Sequence, residues 1–411
     1  MTLPVSDPQF WLVTGAAGLA LALLLRRLFR RPKSPSLPCS GCPKAGRPGT
    51  PRPLLVALAA PGLGALFALM ALMALMAGVA SPLEAELVER DVAAMGTRLA
   101  ITIESPDRPS GLAASEAIVA AVEDAERRLS TWRATSELAA FHAAPPGSRV
   151  ALSPLAWTAM TTALTCWRET GGAFDPTIAP LVEAWGLRTG GRLPTEAEIA
   201  AARSGVGAGR LELDPERREI VQPGGLRLEE GGFGKGAGLD AALAAAQALA
   251  PGAEIELDFG GQLAWSGRGE PRAVRLADPR DRSRTVLELT IDSAFGSVAT
   301  SANSERGATV GGIPVGHLLD PRSGRPAPDF GSATVFAPLA ATADCRATGL
   351  FVLGPERGAA LAARWSRDRQ GEAVLLLVEP HGLRALVTQG LAARARALSP
   401  DLLIDTIVGS S

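Results

Sequence analysis

The chain has no tyrosine, only three histidines and only three lysines among its 411 residues. Aromatic residues make up 4% of the total, so stacking on a planar ligand must come from a small set of tryptophans and phenylalanines. Beyond residue 44 every basic side chain except Lys235 and the histidines is an arginine. Lys235 therefore offers a compact ammonium charge where the rest of this region uses arginine. An ammonium group binds anions as a point charge, whereas the planar guanidinium of arginine binds them through two parallel hydrogen bonds.

Cysteine is equally scarce, with four residues in the chain. Cys39 and Cys42 form a single CxxC motif, which cannot supply the four ligands of a structural zinc site. Three interpretations of this motif stay open: a redox pair, half of a shared metal site, or two thiols without a function. The last is favoured. Cys166 and Cys345 fall in predicted helices, and nothing in the sequence pairs them. No lipobox precedes any cysteine, so a lipid anchor is not predicted.

The net charge of −1 conceals an asymmetry along the chain. Residues 26–53 hold eight basic residues and no acidic one, which leaves 33 basic against 42 acidic residues elsewhere, a net charge of −9. An acidic globular part is repelled by phosphate backbones, so nucleic-acid binding is not expected.

Two apolar runs flank the basic segment, at residues 10–25 and 54–80. The second exceeds the roughly 20 residues that cross a bilayer, whereas the first is short. We therefore predict one or two N-terminal transmembrane helices. The predicted divisions are a first apolar segment and basic linker (1–53), an anchor (54–80) and a folded domain (81–411). Arginines in the cytoplasm would place that domain on the extracytoplasmic side of the cytoplasmic membrane. The alternative is a signal peptide cleaved after residues 78–80.

The remaining sequence predicts an α+β domain. Thr97 to Glu104 alternates as a strand does, and residues 110–129 have a helical apolar period. Ser153-Pro154 predicts the start of a helix, and Gly171 predicts its end. Thr195 with Glu198 predicts a capping box at the start of another helix. Short strands are expected at residues 210–213, 219–221, 226–228, 254–259, 263–266, 272–276, 286–291, 297–300, 333–337 and 374–378. A meander of strands with segregated helices favours a mixed sheet over a doubly wound one.

A glycine-rich stretch, residues 229–240, surrounds Lys235 and leads into an alanine-rich run. Glycines let a backbone approach a phosphate closely, and the following helix presents its positive end. The stretch matches neither the Walker A pattern nor the dinucleotide fingerprint. It predicts a diphosphate cradle, with a purely structural helix entry as the alternative.

About a hundred residues later, Asp344 and Thr348 stand four apart in another alanine-rich run. On a helix this spacing puts the carboxylate and the hydroxyl on one face. Both are hard oxygen ligands of the kind that Mg²⁺ accepts together with substrate phosphates. Asp344 alone would more commonly be a helix cap. Together with the glycine stretch, the pair predicts metal-assisted nucleotide chemistry.

An ordered set of motifs resembles the ApbE family, the FAD:protein FMN transferases. These motifs are Met95-Gly96-Thr97, Ser130-Thr131-Trp132, Gly172-Ala173-Phe174-Asp175-Pro176-Thr177, Trp185-Gly186, Gly231-Gly232-Phe233-Gly234-Lys235-Gly236, Gly260-Gly261, Ala299-Thr300-Ser301, His317-Leu318-Leu319-Asp320-Pro321-Arg322 and Ala343-Asp344 with Ala347-Thr348. They span residues 88–390. The resemblance implies an ApbE-like fold and Mg²⁺-dependent transfer of FMN from FAD to a threonine hydroxyl of a partner protein, with release of AMP.

The resemblance also implies roles for single residues. Asp344, Thr348 and the Gly234 carbonyl would hold Mg²⁺, and Lys235 would neutralise phosphate oxygens. The FAD-binding residues would be Met95, Trp132, Ala173, Phe174, Asp175, Gly231, Ala237 and Leu318. Ala237 stands where many members have tyrosine, so stacking must come from elsewhere. The acceptor would be an extracytoplasmic flavoprotein subunit of a membrane redox complex.

Local alternatives exist for several of these residues. Asp175-Pro176 is typical of a turn, and Asp320 can hold its own turn through an Asx bond. Because free histidine side chains titrate near neutrality, His317 is a candidate general base, although a lone histidine is more commonly structural. Two other functions also remain open. One is an FAD pyrophosphatase that gives FMN and AMP, and the other is a non-enzymatic membrane flavin carrier or assembly factor.

Overall fold

The computed structural model describes residues 85–267, 271–292, 295–304, 307–310 and 312–408. Both apolar runs, the basic linker and the CxxC motif lie outside these described residues, so the predicted anchor and its topology stay predictions. Within the described ranges, no helix is both long enough and apolar enough to cross a bilayer.

Helices and strands alternate irregularly along the described chain. Helices α1 to α9 span Arg108–Leu129, Glu137–Ala143, Pro154–Glu169, Ala179–Ala184, Glu196–Ser204, Gly234–Leu249, Ala340–Leu353, Pro355–Arg367 and Gln389–Ala392. Strands β1 to β10 span Glu86–Ala94, Thr97–Ser105, Arg149–Ala151, Glu212–Asp214, Glu219–Val221, Glu254–Phe259, Gln262–Ser266, Arg272–Asp278, Asp281–Ile291 and Ser297–Ser301. Strands β11 to β19 span Gly307–Val310, Ile313–Gly316, Leu319–Asp320, Arg325–Pro326, Gly331–Ala337, Glu372–Glu379, Gly382–Thr388, Ala395–Ala397 and Leu402–Ile407.

The main sheet has the strand order β1-β2-β6-β7-β10-β15-β16-β17-β19. Neighbouring strands are antiparallel except β17 and β19, which pair in parallel, so the sheet is mixed. The expected α+β class is confirmed. The predicted strand at residues 226–228 is wrong, because this segment forms only an isolated bridge between Arg227 and Ile178.

Local capping signals correctly predict the starts of α3 and α5, and the cap at the start of α1 was not predicted. The Asp107 carboxylate accepts the Ser110 N–H at 2.8 Å at the start of α1, and Ser153 Oγ accepts the Ala156 N–H at 3.3 Å at the start of α3. Thr195 and Glu198 form a reciprocal capping box at the start of α5. These interactions satisfy first-turn N–H groups within a few residues of sequence, which explains why the sequence alone could predict the starts of α3 and α5.

The longest central helices, α1 and α6, pack over one end of the main sheet. Apolar side chains of β2 and β6 fill the space beneath them, among them Leu99, Ile101 and Phe259. Helix α6 presents glycine and alanine where larger residues would hold its neighbours away, as at Ala242 and Ala246. A helix with so little side-chain bulk can approach its neighbours closely, as α6 approaches α7 at Gly236 and α1 at Gly238.

Helix α7 is also fastened to α3. Cys345 of α7 forms a disulfide with Cys166 of α3, a pairing that the sequence did not indicate. The next residue, Arg346, is buried and pairs through two nitrogens with the Glu169 carboxylate at 2.8 and 2.9 Å. Its guanidinium lies 4.5 Å from the centre of the Trp365 ring. Such a two-pronged, partly buried ion pair fixes orientation as well as distance, so the position of α7 against α3 is closely defined.

Candidate active site

Helices α6 and α7 meet backbone to backbone at Gly236. A Cβ atom added there would lie 2.4 Å from the Ala340 carbonyl oxygen and 2.5 Å from the Ala341 Cα. No other residue fits between the two helices, so glycine is required at this position for packing rather than for backbone freedom. The contact brings the start of the glycine-rich helix against the first turn of α7.

Asp344 reaches the glycine stretch from α7. The Gly236 N–H donates to Asp344 Oδ2 across 3.4 Å, and the Asp344 side chain is buried with 7% exposure. One turn further along α7, Thr348 Oγ1 would lie 3.4 Å from a Cβ placed on Gly232. Thr348 Oγ1 is also 3.2 Å from Ser301 Oγ. The structure thus brings together the two sequence features that were predicted to face each other across a diphosphate.

The donor set fits a divalent cation of the magnesium type. A buried carboxylate and a hydroxyl lie one turn apart on α7, and Gly234 begins the opposing helix. In the part of the chain that is described, no cluster of three or more His, Cys, Asp or Glu residues could hold a metal by itself. Mg²⁺ commonly uses few protein oxygens and completes its octahedron with water and substrate phosphates, so a site of this kind is adequate.

Lys235 is half-buried at the start of α6. No described carboxylate lies within ion-pair distance of its amine. Phe233 provides no side-chain cap for α6, but the Gly234 N–H donates to the Glu230 carbonyl at 2.7 Å and the Gly236 N–H donates to Asp344 Oδ2. An ammonium group at the positive end of a helix is a suitable environment for phosphate oxygens.

The exposed aromatic residue beside the cradle is Trp132, with 67% of its surface accessible. The Arg188 guanidinium lies 4.4 Å from the centre of its ring. Arg188 also donates to the Glu229 carboxylate and the Thr131 hydroxyl, and the Thr131 N–H donates to Glu230 Oε1 at 3.0 Å. Burial raises the pKa of Glu229, although the positive charge of Arg188 opposes the rise.

Arg188, Glu229 and Glu230 were not predicted as site residues. Their side chains join three segments distant in sequence: the turn after α1, the turn after α4 and the entrance to α6. The one sequence signal for these residues was the pair of adjacent glutamates, Glu229 and Glu230, directly before the glycines.

Met95 lies at the tip of the β1–β2 hairpin with a positive φ of 44°. Its N–H donates to Glu126 Oε2 at 3.4 Å, and its Cε would lie 3.7 Å from a Cβ on Gly238 of α6. Residues 91–98 and Glu126 line a surface groove of about 630 Å³ around this tip. A non-glycine residue held in the left-handed region is frequently found at ligand sites.

The remaining predicted flavin-contact residues are mostly buried. Phe174 packs against the glycine stretch, since a Cβ on Gly232 would lie 3.0 Å from its ring. Ala173, Ala237 and Leu318 are buried with 1%, 8% and 8% exposure, whereas Gly231 is exposed. The Leu318 N–H donates to Asn303 Oδ1 at 3.4 Å.

Asp175 has a clear structural task. Its Oδ1 accepts the Thr177 N–H at 2.8 Å and the Thr177 hydroxyl at 2.6 Å, and its Oδ2 accepts the Ala208 N–H at 3.1 Å. Burial raises the pKa of Asp175, and these hydrogen bonds oppose the rise. The bonds support the turn interpretation of this residue, and its predicted contact with FAD stays a prediction.

His317 lies half-buried in the turn between β12 and β13. The neighbouring Asp320 accepts the Arg322 N–H at 2.9 Å and its Nε at 2.8 Å, which is the expected Asx-type turn. The general-base role of His317 was predicted from the chemistry of histidine, and it stays a prediction.

His142 has a structural role, because its Nε2 accepts the Leu228 N–H at 2.8 Å. Burial, with the charges of Arg227 and Arg188, lowers the pKa of His142 to about 4. Between this value and the usual value near 6.5 the unfolded chain binds the proton and the native chain does not. Acidification over that window therefore favours unfolding, by about 1–2 kcal/mol after solvent screening of the partly exposed ring.

Replacement His142→Gln keeps an acceptor for the Leu228 N–H and removes the titration. We expect the free energy of unfolding of this variant, measured by urea denaturation, to fall less than that of the parent between pH 6.5 and 4. His381→Gln alters an exposed histidine in the turn between β16 and β17 and serves as the control. Parallel pH profiles for the parent and His142→Gln would contradict this assignment.

Comparison with known proteins adds independent findings. The sequence profile of the ApbE family matches residues 95–375. An FAD:protein FMN transferase of Vibrio cholerae is 31% identical over 287 residues, covering 68% of this chain and 85% of the relative. One from Klebsiella pneumoniae is 29% identical, covering 73% of this chain and 86% of the relative.

Solved structures agree with the sequence relatives. The flavinyl transferase ApbE of Pseudomonas stutzeri, in its apo form, has a TM-score of 0.65 and 26% identity, covering 74% of this chain and 95% of that chain. The ApbE protein of Thermotoga maritima has the same TM-score and identity, with 71% and 94% coverage. Profile, relatives and shared architecture lead to one conclusion: the chain belongs to the ApbE family.

Proposed function

We propose that this protein is an FAD:protein FMN transferase, which moves FMN from FAD to a threonine hydroxyl of a partner flavoprotein and releases AMP. The observation that carries the proposal is the contact between the glycine stretch and α7, where Gly236 meets Asp344 and Gly232 meets Thr348. The activity of the relatives in Vibrio cholerae and Klebsiella pneumoniae supports it.

The reaction exchanges one phosphorus–oxygen bond for another. The threonine oxygen attacks the FMN-side phosphorus of FAD, the bond from that phosphorus to the bridging oxygen breaks, and AMP leaves with that oxygen. The hydroxyl proton passes to a base, a role we assign to His317. Since little covalent catalysis is available in phosphoryl transfer, positioning and charge neutralisation supply most of the rate enhancement.

The residues around the cradle divide these tasks. Lys235 and the positive end of the α6 dipole would neutralise the diphosphate oxygens. Asp344, Thr348 and the Gly234 carbonyl would hold Mg²⁺, which when bound supplies positive charge to the same diphosphate. Trp132 offers an exposed ring face for stacking, and Met95 with the groove at its hairpin tip completes the flavin side.

A location outside the cytoplasm belongs to the same proposal. The buried disulfide between Cys166 and Cys345 supports it, because such bonds persist in oxidising compartments and are rare in the cytosol. In this proposal the predicted N-terminal anchor holds the enzyme on the cytoplasmic membrane. The acceptor is an extracytoplasmic flavoprotein subunit of a membrane redox complex.

The deciding experiment incubates the full-length protein with FAD, Mg²⁺ and a candidate acceptor. We expect AMP release together with acid-stable flavin on the acceptor, located on one threonine by mass spectrometry. The same acceptor with that threonine replaced by valine should stay unlabelled. AMP with free FMN and no labelled protein would identify a pyrophosphatase instead, and bound flavin without AMP would identify a carrier.

A further inference from the structure

The first turn of α7 lacks a cap of its own. Leu339, the residue that precedes the helix, forms no side-chain bond to the first-turn N–H groups. Such groups are costly to bury without an acceptor. Ala340 and Ala341 are both buried, with 1% and 4% exposure, so water does not serve them.

The missing acceptors come from the neighbouring helix. Asp240 of α6 accepts the Ala340 N–H at Oδ1 across 2.7 Å and the Ala341 N–H at Oδ2 across 3.0 Å. The Ala340 carbonyl oxygen is also used, since Gln262 Nε2 donates to it at 2.9 Å. A carboxylate that uses both oxygens on two successive amides of a helix fixes its rotation as well as its distance.

Spacing along both helices connects this cap to the cradle. Gly236 and Asp240 stand four residues apart on one face of α6, and Ala340 and Asp344 stand four apart on one face of α7. The cap joins Asp240 to Ala340, and the next turn joins Gly236 to Asp344. A slip of α7 by one residue would shift Asp344 by about 1.5 Å and turn it by about 100°.

We propose that Asp240 is a positioning residue that sets the register of α7 against α6, so that the Asp344 carboxylate meets the glycine cradle. The inference rests on the proposed function in taking Asp344 and Thr348 as metal ligands. Asp240 does not itself contact the substrate. Its contribution is to hold one ligand helix where the diphosphate cradle needs it.

The test is the variant Asp240→Asn in the full-length chain. Asparagine has nearly the same shape but leaves only one acceptor and directs an NH₂ group at the other helix amide. We expect the dissociation constant of Mn²⁺ in the presence of FAD, read from the EPR signal of free Mn²⁺, to rise about 10- to 100-fold. FMN transfer should fall at limiting Mg²⁺ and recover at saturating Mg²⁺.

A matched control separates positioning from stability. Ser153→Ala removes the cap of α3, a helix whose start is capped by its own Ser153 side chain, and should leave the Mn²⁺ affinity unchanged. If folded Asp240→Asn binds Mn²⁺ as the parent does, or if Ser153→Ala weakens binding equally, the inference is overturned. If Asp240→Asn does not fold, Gln262→Met removes the second bond to Ala340, and it must weaken Mn²⁺ binding for the inference to stand.

The Mn²⁺ measurement also distinguishes this inference from the proposed function. A parent chain that binds Mn²⁺ with FAD but transfers no FMN would refute the function, and weaker binding by Asp240→Asn would still support the positioning role. A parent that transfers FMN, with an Asp240→Asn variant of parental metal affinity, would refute the positioning role alone. A parent that binds no Mn²⁺ would overturn both.

Discussion

Asp344→Asn is expected to reduce FMN transfer by about 100- to 1,000-fold or more, and saturating Mg²⁺ should not restore it. Asparagine preserves the shape of the side chain but removes its charge and one of two hard oxygens. Asp344 is the acidic member of the α7 pair and lies buried against the Gly236 N–H. Without its charge, the cation between helix and diphosphate would lose its protein anchor.

Measurement of initial rates of AMP release and of acceptor labelling, over a series of Mg²⁺ concentrations, checks this prediction. Asp405→Asn is the control, because Asp405 is exposed on β19 and pairs at 2.8 Å with Arg384. An exposed pair of this kind contributes at most about 1 kcal/mol to stability. A metal-dependent rate in Asp344→Asn equal to that of the parent would remove Asp344 from the metal site.

The sequence predicted best what depends on neighbouring residues. The cap at Ser153, the capping box at Thr195 and the four-residue spacing of Asp344 and Thr348 are all local, and the structure contains them. Strand β19, Leu402–Ile407, was not predicted. It lies at the edge of the sheet with only Leu402 buried, and its exposure does not alternate regularly along the strand.

The residues that sequence reasoning missed act across long separations. Arg188 reaches Thr131 and Glu229, and Asp240 caps a helix that begins a hundred residues later. The disulfide likewise joins residues 179 apart in the chain. No period or motif encodes such contacts, because they depend on how α3, α6 and α7 pack. The helical spacing and the family resemblance together supplied the candidate ligand set, whereas the contacts that hold these residues in place became visible only in three dimensions.

Gly236→Ala is the second substitution for which we expect a large effect. The added Cβ would lie 2.4 Å from the Ala340 carbonyl oxygen, and a backbone atom cannot rotate away as a side chain does. Helices α6 and α7 would have to separate by about 1 Å to reach ordinary contact at 3.4 Å. Overpacking of this kind costs about 1–3 kcal/mol of stability. Because Asp344 moves with α7, we also expect about a 100-fold loss of FMN transfer.

Gly238→Ala, two residues further along the same helix, is the matched control. A Cβ there would lie 3.5 Å from Ala125 Cβ and 3.7 Å from Met95 Cε, both ordinary contacts. Alanine is the better helix former by about 1 kcal/mol, so this variant should unfold at the same or a higher denaturant concentration than the parent. Opposite shifts in the two denaturation midpoints, with transfer lost only in Gly236→Ala, would locate the effect at the α6–α7 contact. Equal midpoints and equal rates for the two variants would mean that the helices do not meet there as closely as this structure shows.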